Sequence, residues 1–301
     1  FVITNLIAEV ANSYYELLAL DSQLEIVKKN IALQSDALEI VKVQKEAARA
    51  TELAVQKFQA EVLASKSMEF DILQSIKETE NKINFLLGQY PQEIKRDRSD
   101  LVKLLPNTLY YGVPSQLLTN RPDIKQAEFE LEAAKLDVKT ARAEFYPSLD
   151  ITASIGVNAF KPTYLFTFPE SLLYSLAGDL VAPIINRNAI KAEYSSANSR
   201  QIQALYNYER TVLNAFVEVS SQMSRIDNLE KSYTLKSQQV AAMNRSIDVA
   251  GDLFKSARVD YFEVLMTQRD ALESQLELIA TKKEQFNSAI TLYKVLGGGW
   301  K

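Results

Sequence analysis

The 301-residue chain contains no cysteine and no histidine. Without cysteine there are no disulfides, no thiol nucleophile and no thiolate-ligated metal. Without histidine the commonest general base and metal ligand is missing, so neither a Ser-His-Asp triad nor an ordinary zinc site can be assembled. No run approaches the ~20 apolar residues of a membrane-spanning helix. The net charge of −4 offers none of the concentrated basic surface that nucleic-acid binding uses. Proline is confined by position: all eight lie between Pro91 and Pro183, and residues 1–90 and 184–301 have none. Glycine in those two arms is limited to Gly88, Gly251 and Gly297-Gly298-Gly299. Because proline breaks helix interiors and glycine weakens them, both arms are free to be helical throughout. Phe1-Val2-Ile3 is neither an initiator methionine nor a signal-peptide pattern, so the start reads as processed or truncated.

What the chain does have is seven-residue periodicity. Ile3, Val10, Leu17, Leu24, Ile31 and Leu38 form one column, and Leu205, Val212, Val219, Ile226, Tyr233, Val240, Ile247 and Phe254 form another. Sustained sevens mark a helix with a coiled-coil seam against a partner. Each seam stops at a short break, near Ala47–Thr51 and Ser256–Asp260, after which helical patterning resumes. The pattern predicts two long helical hairpins, each ending at a Leu-Gly C-cap, Leu87-Gly88 or Leu296-Gly297. A helix from about Asn188 to Phe254 would be about 100 Å long, which suits an elongated bundle rather than a compact core.

The two arms also match each other at a constant offset of 209 residues. Asn5, Glu9 and Val10 recur as Asn214, Glu218 and Val219; Ala48-Arg49 as Ala257-Arg258; Val55 as Val264; Gln59 as Gln268; Leu87-Gly88 as Leu296-Gly297. The columns superimpose under the same offset, although 209 is not a multiple of seven. On this reading the chain is a truncated internal duplication: one repeat complete, and the trailing half of an earlier one.

The middle differs in kind. Residues 91–120 are a linker with Pro91, Pro106, Gly112 and Pro114. Asn120 followed by Pro122 and Asp123 predicts a helix start, and Pro147 ends a helix reaching about Phe145. From Leu149 the period becomes two. Leu149, Ile151, Ala153, Ile155, Val157 and Ala159 alternate with Asp150, Thr152, Ser154, Gly156 and Asn158. Past an aromatic loop (Tyr164, Phe166, Phe168), Leu172, Tyr174, Leu176, Leu180 and Ala182 alternate with Ser175, Ala177 and Asp179. Two strands follow, apolar on one face and small or polar on the other. Such strands joined by an aromatic loop carry the weak signature of a membrane barrel. A lone two-stranded hairpin cannot span lipid with open edges, so these strands require partners.

Candidate chemistry is sparse. Glu128, Glu130, Glu132, Asp137 and Glu144 crowd one helix, and paired acids serve glycosidases, but without a pocket signature they read as a solvated face. Gly297-Gly298-Gly299-Trp300 lacks the lysine of a phosphate loop. Gln238, Gln239, Asn244 and Ser246 fit an exposed face or the wall of a watery passage equally well. The second hairpin tip, with Asp260, Tyr261, Phe262 and Glu263, has two readings as well: a constriction, or an ordinary helix N-terminus favouring acids.

Several segments resemble outer-membrane efflux factors of the TolC/OprM type. Gly112-Val113-Pro114-Ser115-Gln116-Leu117-Leu118-Thr119-Asn120-Arg121-Pro122-Asp123-Ile124 is similar to that family's GLPSDLLxRRPDI signature. Ala141-Arg142-Ala143-Glu144-Phe145-Tyr146-Pro147-Ser148-Leu149 resembles its entry into a barrel strand, Ala182-Pro183-Ile184 its strand exit, and Leu292-Tyr293-Lys294-Val295-Leu296-Gly297-Gly298-Gly299-Trp300 its ending. The resemblance covers essentially the whole chain, in order.

The resemblance implies a mainly α chain with a small β part: long antiparallel coiled-coil hairpins contributing to an α-barrel, and two transmembrane β-barrel strands. The implied organisation is a first hairpin at 1–90, a linker at 91–120, a helix leading to the barrel at 121–145, the strands at 146–185 and the second hairpin at 186–301. The implied protein is a homotrimeric duct in the outer membrane of a Gram-negative bacterium, in contact with membrane lipid and with a large periplasmic portion. It takes substrates from an inner-membrane pump and a periplasmic adaptor and lets them leave through its lumen. It needs no cofactor and no metal, binds no nucleic acid and makes or breaks no bond. Position by position, the periplasmic gate falls on Asp260, Phe262, Glu263 and Met266, the last standing where members commonly have Asp. Arg49, Thr51, Arg258 and Val259 become adaptor contacts at the tips, and Asp150, Thr152, Ser154, Asn158, Ser175 and Asp179 face the lumen. A lipid-anchor cysteine and a first pair of strands are expected upstream of Phe1, and the isolated chain is not expected to form the pore. The competing reading is an elongated periplasmic coiled-coil adaptor or scaffold, for which the heptads suffice but the alternating strands have no use.

Overall fold

The computed structural model describes residues 2–96, 121–164, 166, 167, 169, 172–182, 186–256 and 258–298. They form α1 (Val2–Glu46), α2 (Glu52–Leu86), α3 (Pro122–Ala143), β1 (Ser148–Val157), β2 (Leu172–Val181), α4 (Arg187–Lys255) and α5 (Tyr261–Val295), with a single 3-10 turn at Pro162–Tyr164. The chain is mainly helical with a small two-stranded sheet, as its periodicities anticipate. Among the described residues no helix is long and apolar enough to cross a membrane. Asn120, the residues of the Gly112 signature before Arg121, Phe168, Pro183-Ile184, Ala257 and Trp300 lie outside the described residues.

The described residues fall into two compact units, divided between Arg121 and Pro122 and again between Asn214 and Ala215. In the first, α1 lies between α2 and α5. Leu17, Leu20 and Val27 of α1 meet Ile72, Ile76 and Ile83 of α2, with Leu272 of α5 closing the cluster. The neighbouring face of α1 sends Leu18 and Ala19 to Ile279 and Phe286 of α5, where the Tyr15 and Phe286 rings stack at 4.2 Å. In the same unit α4 pairs with α5 through side chains, and the heptad column from Val219 to Phe254 is half-buried at every position. Polar bonds fix that pairing: Arg225 to Glu284 at 2.5 Å, Lys236 to Glu277 at 2.8 Å, and Gln285 Nε2 to the Leu229 carbonyl at 3.2 Å. Of the ambiguous polar set, Gln239 donates to Ser274 and Asn244 accepts from Gln275, so these two face α5.

Helix ends show why the chain turns where it does. Thr51 caps α2, its Oγ1 accepting from the Ala54 N–H at 3.2 Å, and Asp260 caps α5 by accepting from the Tyr261 N–H at 2.6 Å. At the far ends Gly88 and Gly297 adopt φ of 68° and 79°, the left-handed conformation a C-cap needs and a Cβ disfavours. The N–H of Gln89 then reaches the Asn84 carbonyl at 2.8 Å, and that of Gly298 the Tyr293 carbonyl at 2.9 Å. The corresponding helix ends, the N-cap residues and the backbone bonds of the C-caps in the two hairpins are separated by the 209-residue offset seen in the sequence, while the N-cap side-chain bonds differ.

In the second unit, Ile124, Ala127, Leu131, Ala134 and Ala141 make one buried stripe on α3. Phe145 beyond its end meets Tyr194 edge-on at 6.2 Å. β1 and β2 pair antiparallel from Ser148↔Val181 to Val157↔Leu172. The ladder stops short of Asn158, Ala159 and Ala182. In this register the position opposite Asn158 is 171, outside the described residues, and Asn158 itself lies just past the end of β1.

Candidate functional site

Residues with a functional reading gather in two places, one in each unit: the hairpin tips and the strand pair. At the tips, α1 and α2 are joined across residues 47–51, where Ala48 takes the left-handed conformation (φ 56°). The Arg49 N–H returns to the Gln44 carbonyl at 2.8 Å, and the Arg258 N–H to the Leu253 carbonyl at 2.9 Å. Lys45 ties the two arms of the first tip together through an ion pair with Glu52, which also accepts from Gln56 at 2.8 Å. These bonds, that from Lys45 first, hold the Glu52 carboxyl below the usual carboxylate range.

Below that turn a hydrophobic cluster joins the two hairpins. Leu38 and Val41 of α1 and Ala54, Val55, Phe58 and Val62 of α2 surround Leu265 of α5, flanked by Phe254 and Tyr261. Leu265 and Val264 are buried, while Phe262 one turn earlier is 47% exposed. Its ring carries the Lys57 ammonium 5.1 Å from the centroid. Glu263 is exposed and Met266 half-buried. Arg49, Thr51 and Arg258 are exposed and Val259 half-buried. Asp260 is occupied as an N-cap, so its carboxylate has a structural task whatever else it does.

The strand pair is exposed along its whole length on both faces. Register places Leu149, Ile151, Ala153, Ile155 and Val157 on one face with Leu180, Gly178, Leu176, Tyr174 and Leu172. The opposite face brings Asp150 against Asp179, Thr152 against Ala177 and Ser154 against Ser175, whose hydroxyls hydrogen-bond at 2.8 Å. One face is thus apolar and the other mainly polar, with a like-charged carboxylate pair toward its Ser148↔Val181 end that is tolerable only where water reaches it. The acids Glu128, Glu130, Glu132, Asp137 and Glu144 are all exposed, consistent with a solvated face.

Two buried cations had no sequence signal. Arg96, just after α2, bonds both oxygens of Asp21 and one of Glu80, and these bonds, that to Asp21 first, raise its pKa above the usual guanidinium value. Lys282 of α5 is 2% exposed, its ammonium 4.8 Å from the Tyr233 ring centroid and 5.6 Å from that of Phe286. Burial pushes its pKa down. Arg121 reaches the Val295 carbonyl at 3.1 Å and Glu218 at 2.9 Å, tying the residue before α3 to the interior of α4 and the end of α5 in the first unit. Among the described residues no group of three or more Asp, Glu, His or Cys side chains is arranged to hold a metal ion.

Two helical hairpins with matching caps, and a two-faced strand pair ahead of the second hairpin, define a mainly helical class of chain with a small sheet. The family model described as outer membrane efflux protein matches residues 113–298, and the chain belongs to that family. It is 31% identical over 297 residues to the pyoverdine export outer membrane protein OpmQ of Pseudomonas aeruginosa, a match covering 98% of this chain and 62% of that protein. It is 28% identical over 301 residues to the cation efflux system protein CusC of Escherichia coli, covering 98% of this chain and 64% of that one. The chain therefore spans about three fifths of the length of these curated relatives. Its fold superposes on crystal structures of CusC with a TM-score of 0.89 at 26% identity, covering 99% of this chain and 69% of CusC. It superposes on the outer-membrane channel OprN with a TM-score of 0.90 at 23% identity, covering 99% and 67%.

Proposed function

We propose that this chain is the larger part of an exit duct of a tripartite efflux system, set in the outer membrane of a Gram-negative bacterium. Three copies of the protein close a shared barrel, and small molecules pass from an inner-membrane pump and periplasmic adaptor through its lumen to the exterior. The reading is carried by the two-faced strand pair in a chain of this family. An open ladder with bare apolar side chains is unstable in water and impermissible in lipid until neighbouring strands complete it. A completed barrel gives Leu149, Ile151, Ile155, Tyr174, Leu176 and Leu180 to lipid. It gives Asp150, Thr152, Ser154, Ser175 and Asp179 to a watery lumen. The two hairpins, with ends at equal offsets, serve as two repeats of an α-barrel wall. Their tips form the periplasmic end, where Phe262 and Glu263, with Asp260 and Met266 behind them, narrow the passage. Arg49, Thr51, Arg258 and Val259 meet the adaptor. The relatives' names refer to different cargoes, pyoverdine for one and cations for another, which fits a duct whose substrate is chosen by its pump.

These 301 residues contain no thiol that competes with an introduced one, and any cysteine elsewhere in the full-length protein is first replaced by serine. In the full-length protein reconstituted in vesicles, single substitutions Thr152→Cys, Ser154→Cys and Ser175→Cys should react with a charged, membrane-impermeant maleimide. Ile151→Cys, Ile155→Cys and Leu176→Cys should resist it. Equal reactivity along both sets would leave the strands outside a barrel and remove the main support for a duct.

A further inference from the structure

The tip cluster holds a contact with no place in the packing scheme. Phe58 and Leu265 lock α2 to α5 from inside, Phe58 being 1% exposed. Lys57, the residue before Phe58, stands outside that core and brings its ammonium to the Phe262 ring at 5.1 Å. Phe262 and Leu265 are three residues apart, hence on one side of α5. The ring thus sits at the rim of the docking stripe, half in water and touching α2 through a cation. Lys57 forms no ion pair among the described residues, although Lys42, Lys45 and Lys77 of the same hairpin each pair with a glutamate. A flexible, solvated lysine with no carboxylate to bind and an aromatic face beneath it acts through the ring quadrupole.

We propose that Lys57 is the positioning residue of the periplasmic gate. Its ammonium holds the Phe262 ring, and through it the first turn of α5, against α2, and so opposes separation of the two hairpin tips. The proposal rests on the reading of Phe262 as a constriction. It adds that the constriction is held within one protomer by charge rather than by apolar burial alone. Loss of the cation frees the ring and favours the wider arrangement of the tips. Arginine, which binds aromatic faces at least as well as lysine, substitutes for it.

The test is single-channel recording of the full-length protein in planar bilayers, with four variants. Lys57→Met keeps the aliphatic stem and removes the charge. It should raise mean conductance about two- to fivefold, the span of an exposed cation–π contact expressed as an equilibrium ratio. Lys57→Arg should behave as the unsubstituted protein. Phe262→Ala should raise conductance, and Lys57→Met added to Phe262→Ala should change nothing more. Lys57→Gln repeats the charge removal should the methionine variant fail to fold, and an unchanged melting temperature separates gating from damage. If Phe262→Ala leaves conductance unchanged, the gate reading itself is wrong. If Phe262→Ala opens the channel while Lys57→Met and Lys57→Gln do not, or if the two effects add, the gate stands and Lys57 has no part in positioning it.

Discussion

Arg96 grips Asp21 with two parallel hydrogen bonds, Nε at 2.5 Å and Nη2 at 3.0 Å from the two oxygens of one carboxylate, across 75 residues of sequence. Its Nη1 reaches Glu80 at 2.7 Å, and all three side chains are at most 10% exposed. The segment leaving α2 is thereby pinned back onto α1 and α2. Arg96→Met leaves the buried Asp21 carboxylate without its cation and Glu80 with only Lys77 at 3.6 Å, a change costing about 3–5 kcal/mol. A clearly lower thermal midpoint in detergent is expected; an unchanged midpoint would mean that water already shares this site.

The first tip should respond to acid through Glu52. Its folded-state pKa lies below the ordinary 4.5, so its contribution is fully present above that value and is lost as pH falls through the folded value. Lys45→Met removes the leading cause and should move the Glu52 titration up toward 4.5, with the Gln56 bond retaining part of the shift. Carbon NMR of the labelled carboxyl reads this directly. No movement would make the Lys45 contact incidental.

Lys282 has the opposite sign. Burial lowers its pKa from the ordinary 10.5. Between the folded value and 10.5 the unfolded chain keeps a proton that the folded chain has released. Stability therefore rises with pH across that window, and the desolvation penalty is fully present below it. Lys282→Met fills the space without the charge. It should be neutral or slightly stabilising at pH 7 and should flatten the rise at alkaline pH. A marked loss of stability would show that the cation–π contacts to Tyr233 and Phe286 outweigh desolvation.

Much of the fold was legible because it is written in local periodicity. Sevens such as Val212 to Phe254 announce a packed helix whatever its partner, twos such as Leu149 to Val157 announce a strand, and Gly88 and Gly297 stand where only a left-handed cap needs them. The strand limit at Val157 was less legible, since Asn158 and Ala159 continue the alternation past the last residue of β1. The ion network of Arg96 and the contacts of Lys57 and Lys282 left no trace in the sequence. Each is a cation in a stripe of polar residues, indistinguishable from its solvated neighbours until distant helices are brought together. Gln239 and Asn244 show the same limit: their spacing fits both a lumen and a helix partner, and α5 occupies them.

The duct itself is tested most directly by conductance. The full-length protein, purified and added to a planar lipid bilayer, should open discrete, long-lived steps of uniform size that need no pump, adaptor or nucleotide. Bilayers that stay silent while the protein is folded and inserted would contradict an exit duct and return the helical hairpins to the role of a scaffold.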